Sequence, residues 1–226
     1  MSDLAVVVGA GGGLGGALAS ALAARGRRMV GLGRGSDPPL DLLDEATIAA
    51  AAAHLAGLGA PGLVIDATGF LHGSGFEPEK SWRQIDAAHM AHAFAVNAIG
   101  PALLMKHFLP LLPRSGRAVF ASLSAKVGSI GDNRLGGWYS YRASKAALNQ
   151  LVHTAAIELA RRQPQAICVA LHPGTVATRL SQPFAKSGLE VQTPEQSAER
   201  LLATIDGLSA SDSGGFFNHR GEALPW

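Results

Sequence analysis

Tyr141 and Lys145 stand four residues apart in Tyr139-Ser140-Tyr141-Arg142-Ala143-Ser144-Lys145. The Ala-rich periodicity from Tyr139 to Arg162 predicts a helix, on which that spacing sends both side chains off one face. With two tyrosines and five lysines among 226 residues, chance alone gives the spacing in about one such chain in 25. A phenol with a reference pKa of about 10 neither gives nor takes a proton readily near neutrality. A neighbouring ammonium favours the phenolate and lowers that pKa, so the pair has the composition of a proton-transfer device. Tyr139, two residues off this register, is expected to face elsewhere.

Three other stretches carry polar groups at positions where packing does not require them. Ser124 closes Ala121-Ser122-Leu123-Ser124 at the end of an apolar run, where a hydroxyl can polarise a carbonyl; Ser129, five residues on, competes for that role. Asn97 sits inside a predicted helix, where an amide lowers helix propensity. Pro173-Gly174-Thr175-Val176-Ala177-Thr178 follows another apolar run. The eight histidines are scattered, and the pair His89 and His92 has no third ligand in helical register, so no metal site is expected.

Positioning these groups requires a scaffold, and the chain spells one out. Short aliphatic runs at Leu4–Val8, Met29–Gly33, Leu63–Ala67, Ala118–Ser122, Ile167–His172 and Gly215–Phe217 predict strands. Between them, Leu14–Arg25, Glu45–Leu58, Trp82–Leu112, Tyr139–Arg162 and Pro194–Ile205 predict helices. The alternation implies one α/β domain over residues 1–226, a three-layer doubly wound Rossmann fold with a mostly or fully parallel sheet. Immediately after the first run comes Gly9-Ala10-Gly11-Gly12-Gly13-Leu14-Gly15-Gly16. Residues without Cβ let backbone amides and a helix N-terminus approach a pyrophosphate, so a dinucleotide is the expected cofactor. Arg34 follows the second run where an acidic residue would select NAD(H); its cation suits a 2′-phosphate and favours NADP(H). Asp37 leaves NAD(H) as the alternative.

In chain order, the Gly9–Gly15 loop, Asp66-Ala67-Thr68-Gly69, Asn97, Ser124, Tyr141-x-x-x-Lys145 and Pro173-Gly174 resemble the short-chain dehydrogenase/reductase family over nearly the whole chain. The resemblance implies an oxidoreductase that moves a hydride between NADP(H) and a small carbonyl or alcohol. Tyr141 would transfer the proton and Ser124 orient the substrate oxygen. Lys145 would hold the nicotinamide ribose while lowering the Tyr141 pKa, and Asn97 would fix a helix distortion and a relay water. Cofactor contacts are implied for Gly9, Gly11, Gly12, Gly13, Leu14, Gly15, Arg34, Asp41, Leu42, Ala67, Thr68, Gly69, Asn97, Tyr141, Lys145, Pro173, Gly174, Val176 and Thr178. A homodimer or homotetramer through the two long helices is implied as well. The stretch Gly131–Trp138 and the ending Leu224-Pro225-Trp226 most resemble the C-factor-like subgroup. Alternatives are a nucleotide-sensing or signalling protein on the same fold and an NAD-linked alcohol dehydrogenase. Asp66 and Gly12 depart from the family pattern, as does the seventeen-residue spacing from Ser124 to Tyr141. Trp138, Phe184 and His172 are expected to line the substrate pocket, and Gln182–Gln192 reads as a substrate lid.

Composition sets the bounds. A net charge of +2 without a basic cluster argues against nucleic acid. The apolar stretches are interrupted by Gly, Arg, His or Pro before spanning length, so no membrane is expected. Asp3 and the early glycines do not read as a signal peptide, which makes the cytoplasm the expected location. The single cysteine, Cys168, reads as buried packing.

Overall fold

The computed structural model describes residues 2–73, 75–181 and 190–226. The aliphatic runs form β1 (Leu4–Val8), β2 (Arg28–Leu32), β3 (Leu63–Asp66), β4 (Ala118–Leu123) and β5 (Ala166–His172). Two short strands, β6 (Thr175–Val176) and β7 (Val191–Gln192), pair with each other, and β8 (Phe216–Asn218) closes the set. The main sheet has the order β2-β1-β3-β4-β5-β8, parallel throughout. The helices are α1 (Gly13–Ala24), α2 (Glu45–Leu58), α3 (Ala87–Phe94), α4 (Gly100–Phe108), α5 (Tyr139–Ala160) and α6 (Pro194–Gly207).

Strand alternation divides the core in two. Val6, Val8, Phe120, Cys168 and Ala170 face Ile48 and Leu55 of α2, Leu104 and Phe108 of α4 and Leu148 and Val152 of α5. Ala5, Val7, Ile65, Val119, Ile167 and Val169 face Leu18 and Leu22 of α1 and Leu201 and Ile205 of α6. Each large side chain buried there contributes about 1.5–3 kcal/mol, which holds the strand ends in register. Cys168 is fully buried, and burial pushes its thiol up to about 12.

The predicted helix over Trp82–Leu112 is interrupted. A 3-10 turn at Trp82–Gln84 ends in extended backbone at Ile85, and Asp86 then caps α3 by accepting from the His89 amide at 2.7 Å. Side-chain capping by Asp86 explains the restart inside an otherwise helical pattern. Ala95–Ile99 forms a π turn between α3 and α4, and Pro110 lies in a closing 3-10 turn. The stretch Ala87–Leu111 is, by length and composition, apolar enough to cross a membrane; here α3 and α4 pack against α5, and α4 against α2. Leu40-Asp41-Leu42 forms no strand, and Leu42 instead lies over the Cα of Gly100, where a Cβ would come within 2.7 Å of the Leu42 Cβ.

Candidate active site

The strand order reverses beside β1, with β2 on one side and β3 on the other. In open α/β sheets the crevice at that point receives the ligand. The glycine loop fills this position for steric reasons. Gly9 has φ of 86° and its amide donates to the Leu32 carbonyl at 2.8 Å, which turns the chain sharply off β1. A Cβ on Gly15 would lie 2.1 Å from the Gly9 carbonyl oxygen, so only glycine permits the helix to start this close to the strand. Gly11 has open space around its Cα. Gly12 caps α1 without a side-chain hydrogen bond, and the first turn of α1 has no acidic residue. Its N-terminal amides therefore face the crevice with nothing of like charge to repel an anion.

Residues from other elements close around the loop. The Thr68 methyl and Ala67 carbonyl lie against Gly9, and the Thr178 methyl lies against Gly13. Asp66 is 1% exposed, and its carboxylate is directed inward. One oxygen accepts from the Thr68 amide at 3.1 Å and hydroxyl at 2.5 Å; the other accepts from the Ser122 hydroxyl at 2.6 Å. Asp66 thus shapes the turn from below, leaving contact with a ligand to the Ala67–Gly69 backbone. Gly174 has φ of 80° and abuts Gln192 and His219, while the Pro173 carbonyl accepts from Ser197 at 2.9 Å. Arg34 is exposed at the end of β2 and makes no hydrogen bond or ion pair among the described residues. The following turn is fixed by Ser36, whose hydroxyl donates to the Gly33 carbonyl at 2.7 Å, and the Asp37–Pro38 peptide is cis. The Asp41 carboxylate accepts from the Leu43 amide at 3.0 Å.

The chemical groups gather on α5. Lys145 is 3% exposed and donates from Nζ to the Leu123 carbonyl at 2.8 Å. Its Nζ also lies 3.7 Å from the point where a Gly69 Cβ would stand, which puts the ammonium at the edge of the nucleotide crevice. Gly128 makes this approach possible, because a Cβ there would lie 2.8 Å from the Lys145 Cβ. The Tyr141 phenol, one turn away, has no hydrogen-bond partner among the described residues and meets the Trp138 ring edge-on at 6.2 Å. Asn97 occupies the π turn, fully buried. Its Oδ1 accepts from the Phe70 amide at 2.7 Å, and its Nδ2 donates to the Phe70 carbonyl at 2.7 Å and to Ser144 Oγ at 3.1 Å. Ser144 in turn donates to the Tyr141 carbonyl at 2.9 Å. The distortion expected at Asn97 is therefore present, and it ties the turn after β3 to the helix that carries Tyr141.

Without a cofactor, burial pushes the Tyr141 phenol up to about 12, because low-dielectric surroundings penalise the phenolate. The same burial pushes Lys145 down to about 8, against the opposing pull of Asp66. Ser124 is engaged within the fold. Its hydroxyl donates to Asn149 Oδ1 at 2.6 Å, and Asn149 lies two helical turns beyond Tyr141, about 12 Å along the axis. No hydrogen bond joins Ser124 to the phenol. Ser129 is 1% exposed and accepts from the Asp132 amide at 3.0 Å, and Ala125 offers only a methyl.

The structure therefore brings Tyr141, Lys145, Asn97 and Gly69 together, while the Ser124 hydroxyl bonds to Asn149 in the middle of α5. Sequence reasoning did not find Ser122, Gly128, Ser144 or Asn149, although Asn149 continues the four-residue spacing of Tyr141 and Lys145. His172 is partly buried at the end of β5, and burial pushes its imidazole down to about 4. Phe184 and most of the Gln182–Gln192 stretch lie outside the described residues. Among the described residues no group of three metal-ligating side chains occurs.

A family model for short chain dehydrogenases matches residues 3–189. C-signal of Myxococcus xanthus is 37% identical over 142 residues, covering 63% of this chain and 81% of the relative. The 1-hydroxy-2-glutathionyl-2-methyl-3-butene dehydrogenase of Rhodococcus sp. (strain AD45) is 32% identical over 190 residues, covering 84% and 80%. Among solved structures, the carbonyl reductase Sniffer of D. melanogaster superposes with a TM-score of 0.86 at 23% identity over both whole chains. An NADPH-bound carbonyl reductase from chicken fatty liver has the same TM-score at 26% identity, covering all of this chain and 94% of the other. The matched model, the parallel sheet and the crevice agree: this chain belongs to the short-chain dehydrogenase/reductase family of oxidoreductases.

Proposed function

We propose that the protein uses NADP(H) to interconvert a small carbonyl compound and its alcohol, with Tyr141 as the proton-transfer group. The observation that carries this reading is the unbonded Tyr141 phenol one helical turn from the buried Lys145 ammonium, itself beside Gly69 at the crevice. Likeness to an NADPH-bound carbonyl reductase and to the Rhodococcus dehydrogenase supports it.

The residues fit a dinucleotide: Gly9 and Gly15 permit the tight turn from strand to helix, and Gly11 leaves open space where a side chain would intrude. When bound, the nicotinamide supplies or accepts the hydride. The loop amides and the start of α1 would hold the pyrophosphate, Arg34 the 2′-phosphate, and Lys145 the nicotinamide ribose. With its pKa near 12, Tyr141 is protonated at neutral pH and donates its proton to the substrate oxygen as reduction proceeds. Lys145 is cationic below about 8 and stabilises the phenolate left behind. Asn97 and Ser144 hold the backbone around the phenol, and Ser124 supports α5 through Asn149.

Purified protein is expected to consume NADPH with a member of an aldehyde and ketone panel. Unchanged turnover in Tyr141→Phe overturns the mechanism. Arg34→Asp is expected to weaken NADPH more than NADH; equal losses contradict the phosphate contact. The likeness to C-signal favours a second reading, a nucleotide-binding protein in signalling, which binding without turnover across the panel would support. We expect a homodimer or homotetramer through α4 and α5, near which Ile99 and Ile157 are about half exposed, and sedimentation checks it.

A further inference from the structure

We propose that Glu79 is the positioning residue of this active site, clamping the first turn of α5 so that Tyr141 and Trp138 meet in a fixed geometry. The proposal rests on reading Tyr141 as the proton-transfer group.

The start of α5 lacks its own cap. Trp138 occupies the cap position without a side-chain acceptor, and no acidic residue lies in the first turn. The chain enters through three consecutive left-handed residues, Gly136 at 64°, Gly137 at 67° and Trp138 at 54°; Trp138 is the one non-glycine residue with positive φ among the described residues. A left-handed conformation is unfavourable for an L-residue and persists only where its surroundings over-determine it, commonly at functional sites.

Glu79, from a loop 61 residues earlier than Ser140, supplies what the helix lacks. Its carboxylate is 1% exposed and accepts both the amide and the hydroxyl of Ser140, while its backbone carbonyl accepts the Trp138 amide. The negative charge also sits at the positive end of a 22-residue helix. Behind it, His89 Nδ1 lies 3.4 Å from Oε1, with the imidazole stacked on Phe76 at 5.0 Å. A buried carboxylate is costly unless donors surround it, and among the described residues the amide and hydroxyl of Ser140 serve Glu79. From the other side Arg142 donates to the carbonyls of Val127, Gly136 and Gly137. Residues 138, 140 and 142 are therefore pinned on both flanks of Tyr141, whose phenol stays unbonded and whose ring meets Trp138 at 71°. Glu79 touches neither the phenol nor Lys145, so its effect reaches the reaction through the backbone of α5.

The test compares Glu79→Leu, Glu79→Gln and Ser140→Ala in the full chain, reading turnover, NADPH affinity and amide hydrogen exchange. In Glu79→Leu, exchange across residues 138–142 is expected to quicken by about 5- to 30-fold, with the middle of α5 still protected. Turnover is expected to fall by about 10- to 100-fold through kcat, with NADPH affinity unchanged. Glu79→Gln, which keeps one acceptor, and Ser140→Ala, which keeps the carboxylate, should fall between. Unchanged exchange at 138–142, a loss of NADPH affinity equal to the loss of turnover, or full turnover in folded Glu79→Leu would overturn the proposal. If Glu79→Leu does not fold, Glu79→Gln and Ser140→Ala decide it by the same criteria. The exchange measurement does not depend on turnover, so a wild type without activity would remove the reading of Tyr141 and leave the Glu79 clamp to be judged by exchange.

Discussion

On the β1 side of the crevice the ligand-facing surface is backbone: amides of the glycine loop, the turn at Ala67–Gly69 and the open start of α1. On the β4–α5 side it is side chains: the unbonded Tyr141 phenol and, around it, buried groups held by partners distant in sequence, Asn97 by Ser144 and Phe70 and Lys145 by Leu123. The first surface fails when something is added to it, because a Cβ on Gly9 or Gly15 strikes neighbouring backbone and forces the turn open. The second fails when something is removed, because the partner is left buried without a hydrogen bond.

The sharpest separation of the two is expected from Tyr141→Phe, which should cut turnover by about 10²–10⁴-fold with NADPH affinity preserved, measured by steady-state kinetics and calorimetry. Parallel loss of affinity would mean that the two surfaces are not independent. Gly15→Ala is the converse. With its Cβ 2.1 Å from the Gly9 oxygen, the turn must open, and NADPH affinity should fall by about 10- to 100-fold while kcat at saturation changes less. Wild-type affinity there would break the steric account. Ser124→Ala should lower stability by about 1–3 kcal/mol, since it leaves Asn149 more poorly satisfied, yet keep turnover close to wild type. A kinetic loss as large as that of Tyr141→Phe would return the hydroxyl to the substrate.

A smaller effect comes from Lys145. Its pKa is about 8 in the folded chain against an ordinary 10.5, so between these values the unfolded chain binds more protons at this residue. Stability of the cofactor-free protein should therefore gain from this residue as pH rises through that window, and lose as pH falls through about 8. Subtracting the melting profile of Lys145→Met from that of the wild type isolates the contribution; a flat difference would place the ammonium in a wetter environment than the structure shows.

The parallel sheet and its helices were legible because the inner strands β1, β3, β4 and β5 are covered on both faces, which leaves uninterrupted apolar runs, and because Gly15 can be nothing larger. What escaped depended on partners distant in sequence. The restart of α3 turns on Asp86, one polar residue in a helical pattern. The bond from Ser124 to Asn149 was not foreseen, although the alternation of β4 points to it: Ala118, Phe120 and Ser122 face the α5 side of the sheet, and Ser124 keeps that parity. Nothing in Glu77-Pro78-Glu79-Lys80 distinguishes the buried carboxylate of Glu79 from the exposed one of Glu77, since burial there is decided by Ser140 and His89.

The π turn at Ala95–Ile99 also sets how this stretch can change over evolutionary time. A wider turn of this kind accommodates one residue more than a regular helix of the same rise, so it behaves as an insertion retained in place. Deleting one residue between Ala95 and Ile99 is expected to restore regular winding with α3 and α4 still in their present register, so that Leu104, Met105 and Phe108 keep their places in the core. What would go is the seat of Asn97, and with it the tie from Phe70 to Ser144. Shortening by a single codon should therefore spare the fold and cost the site.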